Sequence, residues 1–205
     1  MMPFTEYFKQ GCKPNQTGSI GLEVEHFLIS RNDGRPMPYD GENGIGQLLE
    51  FLRKDFPHTY YEQDLLIALE SEDVLITLEP GCQLEISLRC MNNLQEMMEI
   101  YLKTVSLILA YIHPRGYDLI YSGGLPTIGQ EDFVLIDKER YRLMAQYFQN
   151  VSTRGLEMMK ATAAVHVSVD YTDENDFIRK YRMANILHPL LRFYPVIHLY
   201  MPERK

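Results

Sequence analysis

Four glutamates and a histidine sit at alternating positions of three short strand-like segments of this chain. The segments are Gly21-Leu-Glu-Val-Glu-His-Phe27, Leu78-Glu-Pro-Gly-Cys-Gln-Leu-Glu-Ile-Ser-Leu88 and Ala163-Ala-Val-His-Val-Ser-Val-Asp170. Side chains of a β-strand alternate between its two faces. Glu23 and Glu25 therefore share one face, and Leu22, Val24 and Leu28 take the other. In the same way Glu85 and Ser87 oppose Leu84, Ile86 and Leu88, and His166, Ser168 and Asp170 oppose Val165, Val167 and Val169. An ordinary wet sheet face mixes Thr, Ser, Lys and both charges, whereas these segments contain no lysine. Carboxylates gathered this way repel one another unless a cation neutralises them.

The remaining pattern predicts an α+β fold with a mainly antiparallel sheet, because helices and strands do not alternate strictly. Strands are expected at about 18–30, 60–69, 74–78, 83–88 and 118–122, and within 158–170. Helical periodicity is expected over 44–54, 94–111, 139–149 and from 172 to His188, before Pro189. With 205 residues and no visible linker, 1–205 reads as a single domain. A net charge of -8 argues against a nucleic-acid-backbone binder but leaves nucleotides open, since metal ions bridge carboxylates to phosphates. The odd cysteine set, Cys12, Cys82 and Cys90, has neither disulfide-framework nor zinc spacing and fits reduced thiols in a cytoplasmic protein. The most apolar run, Val105 to Ile112, is too short to span a bilayer, so no membrane partner is expected.

Taken in order, the three segments, with Arg140-Tyr-Arg-Leu-Met144 and Gly155-Leu-Glu-Met-Met159 between the second and third, resemble glutamate–cysteine ligase. The branch is that of the plant and many bacterial enzymes, with the carboxylate–amine ligases as relatives. The resemblance covers about residues 18–195, and Leu78-Glu-Pro-Gly-Cys-Gln-Leu-Glu85 is its most specific piece. It implies an antiparallel sheet curled as part of a funnel, helices outside, like glutamine synthetase. It also implies ATP-dependent phosphorylation of the glutamate side-chain carboxylate, then displacement of phosphate by the cysteine amine to give γ-glutamylcysteine.

Magnesium takes oxygen ligands, and the resemblance makes Glu23, Glu25, Glu79 and Glu85 candidates to hold Mg2+. Taken alone, Glu23 and Glu25 read as solvated glutamates, and Glu79, preceding Pro80, reads as a turn residue. His166 matches a position that joins the metal and phosphate site, through either a metal or a phosphoryl oxygen. Arg89, on the face of Glu85, is a second candidate for contacting ATP or substrate. No catalytic residue is assigned. Cys82 reads as packing, because ATP-driven ligation needs no enzyme thiol.

Family members are roughly twice this length, so the funnel is expected to be incomplete. The chain then reads as an amino-terminal half, inactive or weak alone. Its open sheet edge is expected to be covered by a second copy or a complementary polypeptide. A ligase for another amine and a non-catalytic module that needs its second half are the competing readings.

Overall fold

The computed structural model describes residues 3–14, 18–125, 132 and 134–200, with side chains to 191. The chain divides into two compact units: 1–20 with 169–205, and 21–168.

The larger unit is a mixed helix and antiparallel-sheet structure. Its elements are β1 (Ile20–Ser30), α2 (Ile45–Leu52), β2 (His58–Glu62), β3 (Leu65–Glu70), β4 (Val74–Leu78), β5 (Leu84–Met91), α3 (Leu94–Ile112), β6 (Tyr117–Ile120), α4 (Glu139–Val151), α5 (Gly155–Ala161) and β7 (Val165–Val169). The strands lie in the order β2-β3-β4-β5-β1-β6, with β7 also on β1, so the sheet is open. Antiparallel registers include His58↔Glu70, Ala68↔Thr77, Thr77↔Glu85 and Phe27↔Ile120.

One face of this sheet packs on α2 and α3, and the other carries a small second cluster of Phe27, Ala161 and Ala163. Ile76, Leu78, Leu84 and Ile86 are buried with Ile45, Leu48, Leu49 and Leu52 of α2 and Met97, Val105 and Ile108 of α3. Each such side chain contributes about 1.5–3 kcal/mol on full burial, which anchors the register of β4 and β5. A one-residue slip would expose that whole set and bury Glu85. The Asn93 side chain accepts from the N–H groups of Gln95 and Glu96 and starts α3 where the helical spacing begins.

The expected strand over 60–69 is two strands joined at Gln63-Asp64, with Gln63 at φ 55°. Gln63 is not a residue type that announces a left-handed turn, so the sequence concealed the break. Of the stretch 158–170 expected to hold a strand, the first four residues belong to helix α5, and the strand itself is β7.

The smaller unit pairs α1 (Phe4–Gln10) with α6 (Glu174–Tyr200). Phe8 packs on Phe177, and the Tyr171 hydroxyl donates to the Phe8 carbonyl at 2.7 Å. Lys13 Nζ bonds Asp170 at 2.8 Å. The helix runs past Pro189, where the sequence predicted its end. No helix among the described residues is long and apolar enough to cross a membrane.

Candidate functional site

The face of β1 and β5 turned away from α2 and α3 meets β7 in one acidic cluster. Glu25 N–H donates to the Ala164 carbonyl at 2.9 Å, and Gly21 lies against Ser168. An antiparallel ladder in that register puts Glu23 directly opposite His166. His166 Nδ1 lies 3.3 Å from Glu23 Oε2 and 4.0 Å from Glu25 Oε1. One ligand atom each from Glu23, Glu85 and His166 fall within 4.8 Å of one another, a spacing that could hold a metal ion.

Each acid is held differently. Glu85 Oε1 accepts from Thr77 Oγ1 at 3.0 Å and from Ser87 Oγ at 2.8 Å, which leaves its other oxygen uncommitted to that pair. Thr77 is its cross-strand partner and Ser87 its same-face neighbour, so the β4–β5 register itself orients the carboxylate. Glu25 Oε2 accepts from the Ala164 N–H at 2.8 Å, which ties β1 to the start of β7. Burial pushes the Glu25 carboxyl above its ordinary range, and Glu85 and Glu23 push it further, against the Ala164 hydrogen bond and His166. Glu79 is raised first by burial, then by Glu85 and Glu25, with Lys138 and Arg140 opposing. These mutual effects place Glu79 within electrostatic reach of the cluster, although outside its tightest triad.

The sequence reading missed the residues that seat Glu79. Lys138, buried at the start of α4, and Tyr141 both donate to the Leu78 carbonyl, at 2.8 and 2.9 Å. Burial lowers the Lys138 ammonium, while Glu79 and Glu62 favour its charged form. The Ile136 N–H donates to the Pro80 carbonyl at 3.0 Å. The missed signal was a lysine just ahead of the Arg140-Tyr-Arg motif, separated by about 60 residues from the carbonyl it bonds.

Arg89 goes elsewhere. It sits toward the far end of β5 and lies 3.9 Å from Glu70, in a surface pocket with His58 and Tyr60. Sharing a face with Glu85 does not bring it to the triad, because strand rise separates positions four residues apart by about 13 Å. His26 packs, as its position on the opposite face requires. It is fully buried, with Nδ1 on the Leu84 carbonyl at 3.0 Å and Nε2 on the Tyr101 hydroxyl at 2.7 Å. Cys82 is also a packing residue: burial raises its thiol to about 12.

Sequence comparison agrees with the geometry. Glutamate-cysteine ligase family 2 matches residues 19–192. The chain is 33% identical over 185 residues to the chloroplastic glutamate–cysteine ligase of Arabidopsis thaliana, 32% to that of Brassica juncea and 31% to that of Nicotiana tabacum. Each match covers 90% of this chain but 35% of the relative, so the chain spans about a third of their length. With most of its residues matched and its acidic strands in the order that the resemblance required, the chain belongs to glutamate-cysteine ligase family 2.

Proposed function

We propose that the chain carries the cation-binding wall of an ATP-dependent ligase that joins the glutamate side-chain carboxylate to the cysteine amine. The observation that carries this reading is the convergence of Glu23, Glu85 and His166 from three strands within 4.8 Å. The donor set fits Mg2+: carboxylate oxygens predominate, and burial with mutual repulsion raises Glu25 and Glu79, a cost that a cation would offset. Glu23, Glu25, Glu79, Glu85 and His166 would hold it. Bound there, Mg2+ would supply charge neutralisation and alignment for the anionic triphosphate and the anionic acceptor.

The chain's own residues prepare that site. The Thr77 and Ser87 hydroxyls keep Glu85 turned to one side, and the Ala164 N–H keeps Glu25 from swinging into solvent. In the reaction, a glutamate carboxylate oxygen attacks the γ-phosphorus and ADP leaves. The cysteine nitrogen then attacks the acyl carbon, and phosphate leaves as the peptide bond forms. The open sheet would be one wall of a glutamine-synthetase-like funnel. Cytoplasmic residence, which rests on the three free cysteines, belongs to the same proposal.

A second reading has its own observation. The apolar row of β7 is bare, with Val165, Val167 and Val169 at 62%, 60% and 54% exposure. A row that alternates as if to face a core but lies open favours a module whose partner polypeptide completes it. The test supplies the chain with ATP, Mg2+, glutamate and cysteine and follows phosphate and γ-glutamylcysteine. One phosphate per dipeptide supports the ligase. Turnover only with another amine changes the substrate. Cation binding without turnover favours the module.

A further inference from the structure

We infer that Gln83, seated against Gly81, is a positioning residue that sets how the acidic hairpin meets the His166 strand; this rests on the cation-binding reading above. Gln83 is 2% exposed and touches neither of the groups it would position. Its Oε1 accepts from the Gly81 N–H at 2.8 Å, and its Nε2 donates to the Thr162 carbonyl at 2.7 Å. One side chain thus spans from the turn between β4 and β5 to Thr162, which follows α5 and lies three residues before β7 begins. Glu79 lies two residues before Gly81 and Glu85 two after Gln83, while His166 lies four after Thr162.

An independent contact lies at the same joint. A Cβ on Gly81 would stand 2.2 Å from the Lys160 carbonyl oxygen and 2.9 Å from its carbon. Backbone meets backbone there, and no other residue fits without pushing the α5–β7 junction away. The joint matters because all five residues of β7 are exposed, so hydrogen bonds rather than side-chain packing fix its tilt. At its entry the Ala163 N–H donates to the Gly123 carbonyl and Ala164 pairs with Glu25, and among these bonds the Gln83 side chain is the one that reaches the acidic hairpin. A tilt of β7 about its β1 partner would carry His166 away from Glu85 while leaving the backbone ladder nearly intact.

The experiment measures Mn2+ affinity of the 205-residue chain by the loss of free-ion paramagnetic resonance, in a double-mutant cycle of Gln83→Met with His166→Ala. Gln83→Met keeps length and volume and removes both hydrogen bonds. The expected result is an affinity loss of about tenfold in the parent, as for residues that orient metal ligands, and a much smaller loss once His166 is gone. Gln83→Asn keeps the amide but is one methylene too short to reach both partners, and gives the same cycle from a milder change. Equal losses in both backgrounds, or a lowered melting temperature with unchanged affinity, would overturn the inference and leave the cation site standing. Absence of saturable Mn2+ binding in the parent would overturn both.

Discussion

Replacing Glu85 by glutamine removes one negative charge and little else. The Thr77 and Ser87 hydroxyls donate to Oε1, and a glutamine oxygen still accepts both bonds, though more weakly than a carboxylate. What disappears is repulsion. A Glu85 oxygen and a Glu23 oxygen lie within 4.8 Å. Two unit charges at that separation cost about 1 kcal/mol at the dielectric of water and about 3.5 kcal/mol at an effective value near 20. Glu23 is 44% exposed, so the lower figure applies. In a chelator, Glu85→Gln should therefore raise the melting temperature by about 2–4 °C, the shift that 1 kcal/mol produces in a chain of this size. In Mn2+ or Mg2+ the order reverses. The parent gains stability by ligand binding and the variant gains little. Differential scanning fluorimetry with and without cation reads both effects, and calorimetric titration should show at least about a tenfold weakening, or 1.4 kcal/mol. A variant that melts lower in chelator and binds Mn2+ as tightly as the parent would refute the reasoning, because Glu85 would then be a structural acceptor and not part of a repelling, cation-seeking set.

Other outcomes follow from the same geometry. Glu25 is raised from its ordinary 4.5, so its contribution stabilises the fold fully below that value and is lost as pH rises through the folded pKa. In chelator, stability should decline across that window, and Glu25→Gln should flatten the decline in pH-resolved denaturant melts. His26→Leu removes the side-chain bond to the Leu84 carbonyl, at about 1–3 kcal/mol, and one of two bonds of the Tyr101 hydroxyl, which keeps Tyr121; stability should fall while Mn2+ affinity stays unchanged. Because burial lowers the His26 pKa, its neutral form stabilises the fold above about pH 6.5, and this is lost as acid charges the unfolded chain first. Thiol labelling of the native chain at pH 8 should modify the exposed Cys90 and spare Cys82, whose thiol is buried and raised to about 12.

The face assignments of β1 and β5 were legible because each strand buries one side against α2 and α3, and burial of one side is what period-two patterning encodes. Glu23 and Glu85 could be placed on the face turned away from α2 and α3 from that alone. Their distance from His166 could not, since it depends on which strand lies beside β1, a long-range pairing that local sequence does not carry. The same blindness hid Lys138 and Tyr141, whose bonds to the Leu78 carbonyl are made across the fold. For Arg89, distance along the strand sets its neighbour, which is Glu70. For β7 the alternation set Val165, Val167 and Val169 opposite His166 but did not tell whether that row is covered; among the described residues it is exposed.

The central claim is that acids from separate strands share one cation with His166, and anomalous diffraction tests it most directly. Crystals of the chain equilibrated with Mn2+ and measured at the manganese edge should give a peak bounded by the Glu23 and Glu85 carboxylates and the His166 ring. That peak should vanish in Glu23→Gln crystals. A map with no peak among those three side chains at saturating Mn2+, or with peaks only elsewhere on the surface, would contradict the account.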